Sequence, residues 1–170
     1  MKRITVFLAL LWPLLAFAGA YATVQVKDDG KYLVIATTDG RTVVPPKLSG
    51  QVGFESAAVS SNGKRVGWLA LYPNCCTSYP IPLELVVLDE HKRIHTLTGN
   101  GLAIFGWCFL GNGDEVAYRQ TVVHASNYLH FERRRLSDRK LLGEYDYPDD
   151  AKENRRARDL APAWVKSVPE

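Results

Sequence analysis

No serine in this chain stands in a G-x-S-x-G context, which removes the nucleophile elbow of the α/β-hydrolases. The P-loop and dinucleotide glycine fingerprints are absent, and with them the usual cradles for nucleotide phosphates. No Cys-x-x-Cys pair offers thiol redox chemistry. The four histidines, His91, His95, His124 and His130, join no carboxylate or cysteine in a familiar metal-ligand spacing. They are expected as ordinary surface residues, and no metal or other cofactor is expected. Acid/base catalysis built from residues distant in sequence stays open.

A surplus of one charge is lacking too, once the first twenty residues are set aside. Met1-Lys2-Arg3 is a charged start, residues 4–15 are apolar, and Ala16-Phe17-Ala18-Gly19-Ala20 places small residues at alternating positions. This is the layout of a secretory signal peptide. The apolar run is shorter than the roughly 20 residues of a spanning helix and is interrupted by Pro13. A cleaved signal is therefore expected at 1–20 rather than an anchor, with cleavage after Ala20, or after Ala18 or Ala22. The mature chain is expected to be exported, periplasmic or secreted, with no transmembrane segment. Loss of Lys2 and Arg3 leaves 19 basic residues against 18 acidic ones. Such a neutral chain lacks the electrostatic footprint of a nucleic-acid binder. About 150 residues remain, enough for one domain with a core.

From Thr23 onward hydrophobicity has a period of two, broken by glycine-bearing turns. Strands are expected at 23–26, 32–36 and 42–44, joined at Asp28-Asp29-Gly30 and Thr38-Asp39-Gly40. Pro45-Pro46 ends that meander, because proline offers no ladder donor. A first full repeat then places strands at 54–59, 65–72 and 85–88 and a last one through Ile94 and Leu97. A second places them at 103–110, 115–123, 128–136 and 140–145. Setting Asn62-Gly63 on Asn112-Gly113 brings Val66 onto Val116, Gly67 onto Ala117 and Trp68 onto Tyr118. Trp68 and Trp107 lie in the most apolar strands and are expected in the core.

The order of strand, turn, aromatic-ended strand, loop, strand, polar turn and strand resembles a blade of the TolB-like, WD40-type β-propeller family. That family's turn reads Ser-Pro-Asp-Gly. Here the corresponding residues are Ser60-Ser61-Asn62-Gly63 and Leu110-Gly111-Asn112-Gly113, neither with the proline and the second without the serine. The resemblance covers 52–145, with an echo at Asp29-Gly30-Lys31. It implies, in general terms, a non-catalytic interaction module of the cell envelope. A closed propeller typically takes four to eight blades, and two plus a partial one are present. The expected class is all-β: two four-stranded antiparallel meanders, a short N-terminal meander and a C-terminal helix. The blade-like meanders are expected to pack as a sandwich or as an open fragment capped by terminal segments, in preference to a ring completed by several chains, because exposed edges are liabilities. The β-repeat region is placed at 21–148 and the helix and tail at 149–170. The helix is expected at 149–160, with acidic residues in its first turn. Pro162 stops it, and Trp164-Val165 is expected to return to the β-core.

Exported cysteines meet an oxidising compartment. Cys75 and Cys76 are adjacent in the loop 72–82, whereas Cys108 lies inside a strand. Open pairings are a vicinal Cys75–Cys76 bond or two thiols there, a bond from Cys108 to one of them, or intermolecular bonding. Blade-like alignment puts Cys108 nearly a strand length from the pair, beyond disulfide reach, so Cys108 is expected as a buried thiol. The same loop holds Pro73, Pro80 and Pro82, which lower the entropy lost on binding. Tyr72 and Tyr79 offer aromatic anchors for a partner. His124, Ser126 and Asn127 make a polar loop tip that is a further candidate contact. Arg133-Arg134-Arg135 and Arg155-Arg156-Arg158 are expected as solvated faces. The expected function is a non-catalytic exported binding module with a protein partner in the envelope, self-association being an option. The alternative is a small secreted enzyme or ligand-binding protein using the loop 72–82 and a neighbouring polar loop.

Overall fold

The computed structural model describes residues 20–75, 77–99, 101–123, 128–147 and 157–170. Among these, three antiparallel sheets form, each a meander in which sequence neighbours are spatial neighbours. Sheet 1 holds β1 (Tyr21–Lys27), β2 (Tyr32–Thr37) and β3 (Thr42–Val43). Sheet 2 holds β4 (Gly53–Val59), β5 (Arg65–Tyr72), β6 (Ile81–Asp89) and β7 (Ile94–Thr98). Sheet 3 holds β8 (Ala103–Leu110), β9 (Glu115–Thr121), β10 (Leu129–Arg135) and β11 (Leu141–Tyr147). The all-β class, the two four-stranded meanders and the short first one are thus as expected. One strand differs. β6 starts at Ile81 and contains Pro82, which stands opposite Leu71 where the register slips after Ala70. A slip is where a ladder tolerates a residue without an N–H.

Burial explains why the strands differ in pattern. β1 is exposed along most of its length, and β2 alternates between buried and partly exposed residues. β5 and β6 are apolar almost throughout because both of their faces are covered. Val66, Trp68, Ala70, Val86 and Leu88 meet Tyr21, Leu33 and Ile35 of sheet 1. Leu69, Leu85 and Val87 meet Ile104, Trp107, Val116 and Tyr118 of sheet 3. The far face of sheet 3, with Ala117, Leu129 and Phe131, is covered by Ala161, Val165 and Val168. The order of layers is therefore sheet 1, sheet 2, sheet 3, C-terminal segment. This is the capped open stack, with no closed barrel among the described residues.

Two glycines let the layers approach. A Cβ on Gly67 would lie 2.4 Å from Cη2 of Trp107, so the indole rests on bare backbone of β5. A Cβ on Gly113, whose φ is +94°, would lie 2.5 Å from the Cβ of Ser60, so the β8–β9 turn nests on the β4–β5 turn. Arg65 fastens the two turns by donating through Nη1 to Gly113 O at 2.9 Å and to Asp114 Oδ1 at 2.7 Å. The register of β4 slips between Glu55 and Ala58, where Ser56 has φ +48°. Its carbonyl accepts the indole N–H of Trp107 at 2.7 Å. Trp68 and Trp107 are both buried, as their strands suggested.

Within the tail, residues 157–160 are helical, while 149–156, and with them most of the expected helix and Arg155 and Arg156, lie outside the described residues. The helical stretch ends before Pro162 as expected, and a separate four-residue helix, Ala163–Lys166, follows it. A proline needs no donor at a helix start. Val165 is buried and Trp164 packs at the edge of the same cluster, as expected. No helix among the described residues is long and apolar enough to cross a membrane.

Trp107→Ala should cost about 3–5 kcal/mol in urea unfolding, from lost burial and the cavity left against Gly67. A cost under about 1 kcal/mol would mean that sheets 2 and 3 are not joined through this ring.

Candidate functional site

Of the residues singled out in the sequence, Tyr72 and Tyr79 separate into different roles. Tyr72 ends β5 half-buried and donates its hydroxyl to Glu84 Oε2 at 2.5 Å. Burial and the carboxylate both push its phenol upward. It lines a groove of about 320 Å³ with Leu83, Glu84, Gly99 and Leu102. Tyr79 is 52 % exposed, and its carbonyl accepts from Thr77 Oγ1 at 2.5 Å. Cys75 is exposed. Cys76, His124 and Asn127 lie outside the described residues, and so does any Cys75–Cys76 pairing. Cys108 carries a free thiol. It is half-buried rather than buried, because it faces the C-terminal segment, which covers less than a full sheet would. Burial pushes that thiol up.

The more unusual site was not among those candidates. Strand pairing sets Trp68 opposite Val86 and Val66 opposite Leu88 in sheet 2. In sheet 3 the matching pairs are Tyr118 with Glu132 and Val116 with Arg134. Two apolar positions of one repeat are thus a carboxylate and a guanidinium in the next. Glu132 is only 4 % exposed. Its Oε2 accepts from the Tyr118 hydroxyl at 2.6 Å and from Arg134 Nε at 2.5 Å. Arg134 also donates Nε to the Tyr118 oxygen at 2.9 Å and Nη1 to Arg139 O at 3.0 Å. His130 Nε2 meets Glu132 Oε1 at 3.3 Å, and its Nδ1 meets Asp146 on β11. A buried carboxylate survives only when paired and hydrogen-bonded in this way.

These bonds set the protonation states. Burial alone would raise the Glu132 carboxyl, but Arg134 and Tyr118 outweigh it and hold it below the ordinary range. Burial also works against a charged His130, and Asp146 and Glu132 overcome it, so that the imidazole holds its proton to higher pH than usual. Burial, then Glu132, push the Tyr118 phenol up. The cluster faces a cleft of about 470 Å³, walled by Thr98 and Gly99 at the end of β7 and by Leu141 and Glu144 of β11.

Two histidines therefore depart from the expected surface role. His130 is mostly buried in this cluster, and His95 meets Asp89 Oδ2 at 3.1 Å. Asp89 also accepts from the backbone N–H groups of His91 and Arg93 and from Arg93 Nε, closing the β6–β7 turn. Its burial opposes ionisation, but these bonds bring the carboxyl down to about 2. The arginine run divides as strand alternation requires. Arg133 pairs with Glu115 at 2.6 Å and Arg135 with Asp138 at 3.1 Å, while Arg134 turns to the cleft. Arg158 pairs with Glu170. Among the described residues no group of three or more His, Cys, Asp or Glu side chains is placed to hold a metal ion.

No family model matches the chain, and no curated protein matches it. Among solved structures it is similar to the acylaminoacyl peptidase of Pyrococcus horikoshii in its orthorhombic crystal form, with a TM-score of 0.49 and 8 % identity. The match covers 76 % of this chain and 25 % of that one, so this chain spans about a quarter of the peptidase's length. A likeness of that size says nothing about the site.

The raised pKa of His130 has a definite sign for stability. Its ion pairs contribute fully below the unfolded histidine value of about 6.5 and are lost as pH rises through the higher folded value. His130→Gln should therefore lower the melting temperature most near pH 6 and progressively less as pH is raised to about 9. A deficit that grows with pH would contradict the assigned pairing.

Proposed function

We propose that this chain is an exported, non-catalytic binding module of the cell envelope that contacts a protein partner through the loop 72–82. The observation that carries the reading is the pairing of an exposed aromatic with a groove at the base of the same loop. Tyr79 is open to solvent, and Tyr72, fixed by Glu84, forms one wall of the groove beside Leu83 and Leu102. Exposed aromatics and apolar recesses are the usual elements of a binding hot spot, and this loop carries the one and ends at the other. The signal-like start, the meander repeats and the TolB-like turn residues support export and an interaction role. Rigid sheets place the loop, and loops on such scaffolds are where recognition concentrates.

The test uses protein recovered from the exported fraction, whose N-terminus should lie at or near Tyr21. Wild type and Tyr79→Ala are immobilised and exposed to envelope extract, and retained protein is quantified by mass spectrometry. Loss of a hot-spot tyrosine should cut retention of the specific partner by at least about tenfold while leaving the melting temperature nearly unchanged. Equal retention by both proteins, or a sharp fall in stability of the variant, would show that the loop is structural.

A further inference from the structure

From the cleft between sheets 2 and 3 we infer a second binding site, for a small neutral polyhydroxylated solute of the saccharide class. The departure from the internal repeat is the starting point. Where sheet 2 has Val86 and Leu88, sheet 3 has Glu132 and Arg134, at a position where apolar side chains would pack without the cost of burying charge. Sites that break a local pattern and hold buried charges are where function tends to lie. The cleft they face holds about 470 Å³, within the usual range for a small ligand.

Its lining selects among ligand classes. Glu132 is neutralised by Arg134 and His130 by Asp146, so the floor presents donors and acceptors without a strong surplus of either charge. An anion would meet Glu132 and Glu144, and a cation would meet Arg134 and His130. A hydroxyl group, which both donates and accepts, meets no such penalty. Glu144 stands exposed directly across the strand pair from Glu132 and accepts hydroxyl donors. Thr98 adds a hydroxyl of its own, and Leu141 gives the C–H surface of a sugar ring an apolar wall. Tyr128, 47 % exposed, stacks on His130 with their planes 9° apart and offers an aromatic face beside the cleft. The solute is bound and not cleaved. Glycoside hydrolysis needs a carboxylic acid to protonate the leaving oxygen, whereas both oxygens of Glu132 are already engaged, Oε2 by Tyr118 and Arg134 and Oε1 by His130.

Calorimetric titration of the exported protein with maltotriose, chitotriose and spermidine tests the assignment. Saturable binding of at least one sugar is expected at or below about 1 mM, weakened at least about fivefold by Glu144→Ala and by Tyr128→Ala. Both side chains are exposed, and circular dichroism verifies that the variants fold. Tyr79→Ala should leave sugar binding unchanged, so this site and the loop 72–82 succeed or fail separately. Three results would overturn the inference: no saturation by either sugar up to about 20 mM, unchanged affinity in Glu144→Ala, or tighter binding of spermidine than of both sugars. Release of new reducing ends from either sugar would overturn the non-cleaving role.

Discussion

The contact between the Trp107 ring and the bare backbone of Gly67 is the constraint on which the stack depends. It needs three things at once: no side chain on β5 at that point, a large aromatic on β8, and an acceptor for the indole N–H. The acceptor comes from a local irregularity, since the slip in β4 turns the Ser56 carbonyl toward the ring. Sheet 2 can then be covered on both faces, which is why β5 and β6 are the most continuously buried strands. The remaining layers follow from that arrangement. Sheet 1 covers one side of sheet 2, sheet 3 covers the other, and the C-terminal segment shields the outer face of sheet 3.

Against this apolar stack, the Tyr118, His130, Glu132 and Arg134 cluster is an exception placed within an equivalent layer. A close-packed interior tolerates charges only as a fully bonded network. Here each member has partners: Glu132 accepts from Tyr118 and Arg134 and meets His130, Arg134 reaches a backbone carbonyl, and His130 ties β10 to β11 through Asp146. The network also opens to a cleft walled by Thr98, Gly99, Leu141 and Glu144. The loop 72–82 and the cleft are thus built differently, one with exposed aromatic surface and the other with neutralised charge.

Most strands were legible because turn chemistry and alternation coincide. Asn62-Gly63 and Asn112-Gly113 mark the hairpins, and positive φ at both glycines and at Asn112 is what those residue types permit. Pro82 misled by its identity alone, since the register slip that admits it cannot be read from the chain. The order of layers was illegible for a related reason: alternation says that a face is buried but not which sheet buries it. The polar cluster was hidden by a change of offset, because β5 and β6 pair further than β9 and β10 and slip register after Ala70. The offset that carries Trp68 onto Tyr118 is 50 positions, whereas Val86 and Glu132 are 46 apart. Comparing the repeats beyond their second strands with the smaller offset would have set Glu132 and Arg134 against Val86 and Leu88 and exposed the change.

Native-state hydrogen exchange measures most directly whether the repeats form one cooperative stack around sheet 2. Amides of β5, β6 and β9 should exchange slowest and share one opening free energy, equal to that of global unfolding. β3 and β11, a two-residue strand and an edge strand, should open at lower free energy. A sheet 3 whose central amides open together well before those of β5 and β6 would contradict the account, because the two repeats would then be separate units rather than layers locked by Trp107 on Gly67.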